Sequence, residues 1–123
     1  MRLVGLDHVA MAVTNVERSA AWYIEVLGFE RLHSGMWGGT PTFVGTGGTG
    51  IALFPKKAKD RDGDDHGILH VAFGATRENF LAARRELLKR GLAIHFEDHG
   101  IAHSIYFSDP DGHKLELTTY ELE

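Results

Sequence analysis

His8-Val9-Ala10 returns as His70-Val71-Ala72, and each copy opens the same succession of patterns. A short polar segment follows, then a stretch of helical periodicity, then a glycine. The first such stretch covers 16–27 and stops at Gly28; the second covers 78–90 and stops at Gly91. Glycine is the residue that ends a helix in the left-handed conformation at least cost. Apolar residues restart after both glycines, at Phe29 and Leu92, and Ile51-Ala52-Leu53 near the end of the first half is answered by Leu115-Glu116-Leu117 near the end of the second. Agreement of several landmarks in the same order points to a half-length duplication.

Each half reads as βαβββ. Strands are expected over 6–13, 29–35, 40–46 and 51–55, then over 69–73, 93–97, 104–107 and 114–120, separated by Gly- and Pro-containing turns. Asn15 and Thr76 are placed to cap the two helices, and Val16, Ala20, Tyr23, Ile24 and Leu27 fall on one helical face. The charged run 56–65 has no apolar face and reads as a connection. The expected organisation is α+β: one domain over 1–123, with a first module at about 1–58, a linker at about 59–65 and a second module at about 66–123.

Composition narrows the function. The chain has 123 residues, 13 Lys+Arg against 17 Asp+Glu, a formal charge of −4 and no cysteine. The acidic balance argues against a nucleic-acid partner, whose phosphates need a basic face. No apolar run approaches the ~20 residues of a membrane span. Asp7 and His8 interrupt any signal-peptide pattern, so the cytoplasm is the expected location. Without cysteine there is no disulfide, thiolate metal site or Cys nucleophile. Histidine is abundant instead, with eight copies.

Strand alternation sorts these histidines. In the first strand Val9, Met11 and Val13 share one face, and His8, Ala10 and Ala12 the other. In the fifth, Leu69, Val71 and Phe73 oppose His70, Ala72 and Gly74. In the last, Leu115 and Leu117 oppose Glu116. The bulky faces suit packing on helices; the others combine a ligand-type side chain with small neighbours. His8, His70 and Glu116 thus form a candidate metal set. Two neutral imidazoles and a carboxylate suit Fe2+, Mn2+, Zn2+, Co2+ or Ni2+, and leave positions for substrate.

Paired βαβββ modules carrying Asp7-His8-Val9-Ala10, Leu69-His70-Val71-Ala72-Phe73 and the segment from Tyr106-Phe107-Ser108-Asp109-Pro110-Asp111-Gly112 to Glu116 resemble the vicinal oxygen chelate superfamily. It includes glyoxalase I, extradiol dioxygenases, fosfomycin-resistance thiol transferases, methylmalonyl-CoA epimerase and bleomycin-binding proteins. The resemblance implies a cup-shaped, incompletely closed eight-stranded barrel with a divalent metal on His8, His70 and Glu116. It also implies a homodimer, since the superfamily builds metal sites across two chains and a chain of this size has sheet edges to cover.

Among the subfamilies, glyoxalase I and the epimerase use a further ligand on the fourth strand. The repeat places that position at Ala52, whose methyl cannot ligate. Extradiol dioxygenases match in Asp98-His99-Gly100 and in Tyr106, ten positions before Glu116, which makes His99 and Tyr106 the candidate catalytic residues. Parity turns Tyr106 toward the face of Glu116, and an imidazole at His99 is suited to proton transfer. Fosfomycin-type thiol transferases share the ligand set and the Ser104-Ile105-Tyr106-Phe107 strand, but have Thr where Ala10 stands and a serine-rich loop where Gly100-Ile101-Ala102-His103 stands. Trp37, Phe43 and Phe54 are candidates for an apolar pocket wall, while His33, His95, His103 and His113 receive no role. The expected function is a metal-dependent enzyme on a small substrate chelated through vicinal oxygens. It would be extradiol-dioxygenase-like, which favours Fe2+ or Mn2+. The alternatives are a thiol transferase, a glyoxalase-type lyase and a metal-free binding protein of the bleomycin-resistance kind.

Overall fold

The computed structural model describes residues 1–57 and 67–123. The chain divides into two compact units, Met1–Asp60 and Arg61–Glu123. The expected linker at 59–65 lies outside the described residues. Unit 1 runs β1 (His8–Val13), α1 (Val16–Leu27), β2 (Glu30–Leu32), a short 3-10 turn (Met36–Gly39), β3 (Thr42–Thr46) and β4 (Thr49–Pro55). Unit 2 runs β5 (Val71–Gly74), α2 (Arg77–Lys89), β6 (His95–Asp98), β7 (His103–Ser108) and β8 (Lys114–Thr119). The sheets have orders β1-β4-β3-β2 and β5-β8-β7-β6, so the duplication holds at the level of topology. In each, the first and last strands are parallel and the rest antiparallel.

Both helices begin and end where the expected signals stand. The Asn15 side chain accepts from the Arg18 N–H at 3.0 Å, and Thr76 Oγ1 accepts from Asn79 N–H at 3.2 Å. Such caps are each worth about 1 kcal/mol. Gly28 (φ 72°) and Gly91 (φ 79°) take the left-handed conformation that ends each helix. Val13, Tyr23, Val44, Ile51 and Leu53 are fully buried in unit 1, as are Phe80, Leu87, Ile105 and Leu115 in unit 2. Burying a large apolar side chain of this kind contributes about 1.5–3 kcal/mol. The alternation expected in β1 holds, with Met11 and Val13 buried and His8 and Ala10 exposed.

Five strands, β1, β2, β3, β5 and β6, start later than expected, and two of them carry candidate ligands at their starts. β1 begins at His8, not at 6, and β5 at Val71, not at 69. Leu6, Ile68 and Leu69 are apolar but find no buried layer, and all three are exposed. His70 therefore precedes β5 by one residue. The connection at 33–39, expected as part of a strand and a turn, instead contains the 3-10 turn.

Candidate metal centre

Register builds one row of side chains across unit 2. Ala72 pairs with Glu116, Glu116 with Tyr106, and Tyr106 with His95. Directly paired residues share a face, so Glu116, Tyr106 and His95 stand side by side, with the methyl of Ala72 next to the carboxylate. His70, two positions before Ala72, reaches the same face. Its Nε2 lies 2.9 Å from Glu116 Oε1. Glu116 is buried, 7% exposed, and His70 is partly open to solvent.

The donors fit a divalent ion. Ligand atoms about 2.1 Å from an ion in adjacent octahedral positions lie ~3.0 Å apart, close to the observed separation of His70 and Glu116. Among the described residues no group of three or more His, Asp or Glu side chains stands together as a metal set, so within unit 2 the pair is joined by no third donor. His8 belongs to unit 1.

Tyr106 and His99, the two candidate catalytic residues, do meet. His99 Nε2 and the Tyr106 hydroxyl are 3.0 Å apart. The turn between β6 and β7 accounts for this: Gly100 N–H donates to Asp98 Oδ1 at 2.9 Å, and His99 N–H to the Ala102 carbonyl at 2.9 Å, which folds the His99 ring back over β7. The Tyr106 ring also stands edge-on to His70, with centroids 5.6 Å apart. Burial pushes the Tyr106 phenol above its usual pKa of 10.0, helped by the charge of Glu116, a hydrogen bond to that carboxylate, and the charge of Glu97. The phenol is therefore a proton-bearing donor at neutral pH. His70, His95, Glu97, His99, Tyr106 and Lys114 all line one cavity of about 1080 Å³.

In unit 1 the equivalent row is Ala10, Ala52, Phe43 and Leu32. It is apolar throughout, and Ala52, at the position of Glu116, is buried between Ala10 and Phe43. His8 keeps the place of His70, with its ring edge-on to Phe43 at 5.0 Å. His8 Nδ1 is 2.8 Å from Asp7 Oδ2, so the Asp7 carboxylate engages the ring nitrogen other than Nε2. A carboxylate on the distal nitrogen is the usual way of fixing the tautomer of a metal-binding His.

Three residues without an assigned role belong to these settings. His95 and Glu97 line the unit 2 cavity and pair with each other at 2.7 Å. The signal for them was strand parity, but only the register of β6 on β7 shows which parity faces Glu116. Asp7 was legible as a carboxylate immediately before a ligand-type His. His113 is held in the last turn by Asp109, at 2.8 Å. Trp37 and Phe43 stand together with centroids 5.4 Å apart. Phe54 shares the face of Ala52 by alternation.

The sequence of residues 5–117 matches the Glyoxalase/Bleomycin resistance protein/Dioxygenase superfamily. The chain is 31% identical to metallothiol transferase FosB of Staphylococcus epidermidis, over all of this chain and 87% of that one. It is 31% identical to glutathione transferase FosA of Serratia marcescens, over 94% of this chain and 80% of that one. Among solved structures, a glyoxalase/bleomycin resistance protein/dioxygenase domain from Frankia sp. EAN1pec superposes with a TM-score of 0.76 at 27% identity, covering 96% of this chain and 93% of the other. The duplicated βαβββ topology and a match along nearly the whole chain agree, and the protein is a member of the Glyoxalase/Bleomycin resistance protein/Dioxygenase superfamily.

Proposed function

We propose that this protein is a divalent-metal transferase that joins a thiol to a small electrophile, with His8, His70 and Glu116 as metal ligands. The ligand set is supported by the 2.9 Å approach of His70 to Glu116 and by the Asp7-oriented imidazole at the matching position of unit 1. The transferase reading rests on the relatives, since FosB and FosA align along nearly the whole chain. They move the weight from the oxidoreductase chemistry expected at first to group transfer. When bound, the ion would act as a Lewis acid on oxygen atoms of the substrate.

In that reaction the thiolate sulfur forms a bond to carbon as a carbon–oxygen bond of the electrophile breaks, and the oxygen takes up the electron pair. Tyr106 carries a proton at neutral pH and presents its hydroxyl beside Glu116, where it can donate to that oxygen. His99 holds the hydroxyl at 3.0 Å and can replace the proton from solvent. Ala52 supplies no carboxylate to shuttle a carbon-bound proton, so glyoxalase-type isomerisation is disfavoured. One observation favours a second reading, ring cleavage of catechols: the His99–Tyr106 contact beside a two-His, one-Glu set.

The deciding experiment loads the purified protein with Mn2+ or Fe2+. One arm supplies glutathione or cysteine with an epoxide; the other supplies catechols under oxygen. Metal-dependent thiol consumption, lowered ~10²-fold in Tyr106→Phe with metal content unchanged, is expected. Yellow ring-cleavage product without thiol transfer would replace this reading with the second.

A further inference from the structure

The Glu116 face of unit 2 holds a second histidine–carboxylate pair, which the candidate ligands and the Tyr106–His99 contact leave unused. His95 Nε2 lies 2.7 Å from Glu97 Oε1, and both residues line the cavity of about 1080 Å³. The pair does little for the fold. The His95 side chain is 69% exposed and that of Glu97 48%, and exposed pairs add little to stability.

Among the described residues three histidines line this cavity, and each is held differently. His70 is engaged with Glu116, and His99 with the Tyr106 hydroxyl. His95 is backed by a carboxylate that is not a candidate ligand. A carboxylate only accepts, so the contact places a proton on Nε2 and, in the neutral ring, the lone pair on Nδ1. Such a ring can take a second proton, because the negative partner that stabilises its cationic form is already in place.

Register adds an independent observation. His95 pairs with Tyr106 and Tyr106 with Glu116, so the three stand in one row in that order. The rings of His95 and Tyr106 are 6.4 Å apart. Strands in a sheet are spaced ~4.8 Å, which puts His95 ~10 Å from Glu116 along the row, with Tyr106 between. In displacement at carbon the sulfur enters opposite the departing oxygen. With that oxygen at Glu116 and Tyr106, the His95 end of the row is left for the sulfur.

We propose that His95 is the general base that deprotonates the thiol, and that Glu97 is the positioning residue that holds its ring. This rests on the reading of the protein as a thiol transferase. An alkyl thiol is mostly protonated at neutral pH, and the thiolate is the nucleophile. The S–H proton passes to Nδ1 of His95 as the sulfur bonds to carbon. The carbon–oxygen bond breaks, and the oxygen takes the Tyr106 proton. The exposed imidazolium returns its proton to solvent, and Tyr106 regains one through His99. The sum is the addition of one thiol across one carbon–oxygen bond, with no further reactant.

The test uses the whole protein loaded with Mn2+, an epoxide and two thiols. Glutathione is mostly protonated at neutral pH, whereas 4-nitrothiophenol is already ionised and needs no base. His95→Gln should slow glutathione transfer ~10²-fold and 4-nitrothiophenol transfer less than about threefold. Glu97→Gln should slow the glutathione reaction about tenfold. Free imidazole should restore part of the glutathione rate in His95→Gly and leave the 4-nitrothiophenol rate unchanged. Bound Mn2+, read from the loss of the free-ion EPR signal, and the melting temperature should match the parent in all three variants. Unchanged glutathione transfer in His95→Gln overturns the proposal, because the thiol is then ionised elsewhere. Equal slowing with both thiols also overturns it, because His95 then acts in binding or structure. Both results leave the transferase reading standing. A parent that binds Mn2+ and transfers neither thiol removes that reading, and this one with it.

Discussion

Asp7 stands where one side chain can set the orientation of a candidate ligand, His8. Its carboxylate engages Nδ1 of His8 at 2.8 Å, although the Asp7 side chain itself is largely exposed. The contact is worth little to folding, because exposed pairs contribute about 0–1 kcal/mol. Its value lies in orienting the imidazole. Asp7→Asn should therefore leave the melting temperature unchanged while weakening Mn2+ or Zn2+ binding ~10–100-fold, the usual cost of losing such a partner. A titration against a competing chelator reads this directly. Loss of thermal stability with unchanged metal affinity would assign Asp7 to the fold instead.

At the scale of the element, the β3–β4 hairpin sets where Ala52 and Phe43 stand. Its tip brings Gly45 against Gly50. A Cβ on Gly45 would collide with the Thr49 carbonyl oxygen and come within 2.8 Å of the Gly50 Cα. Both are backbone atoms that cannot step aside, and the position is buried. Gly45→Ala should destabilise by about 1–3 kcal/mol, read as a lowered denaturation midpoint. Gly74 is the contrast. It ends β5, and a Cβ there meets nothing within 4 Å. Gly74→Ala should fold with stability close to the parent. A hairpin that tolerated Gly45→Ala as easily would mean that its close strand approach is not needed.

Across the whole molecule, each unit ends in outer strands, β1 and β2 in one sheet and β5 and β6 in the other. Symmetric pairing of two chains is the commonest way to cover such edges. Light scattering at micromolar concentration should report a dimer. Two inactive variants, His8→Ala and Glu116→Ala, then test how the ligand set is completed. If one chain lends His8 to the His70–Glu116 pair of its partner, mixed dimers regain one intact site and the mixture recovers about a quarter of the parent activity. That recovery is the expected outcome, and its absence would place all three ligands on one chain.

The parts of this protein legible in its residues are those that depend on short range. The caps Asn15 and Thr76, the stops Gly28 and Gly91, and the alternation in β1 are properties of a few neighbouring residues, and the repeat of His8-Val9-Ala10 exposed the duplication because both copies obey the same local rules. Parity likewise placed Glu116 and Tyr106 on a common face. The tertiary structure decided what depends on register and closure. Which parity of β6 faces Glu116 follows only from the pairing of His95 with Tyr106, so His95 and Glu97 were passed over. The return of His99 onto the Tyr106 hydroxyl is made by a turn whose hydrogen bonds no periodicity announces. Strands β1 and β5 start late because burial, not hydrophobicity alone, holds a residue in a sheet: Leu6 and Leu69 are apolar enough, but no layer exists to receive them.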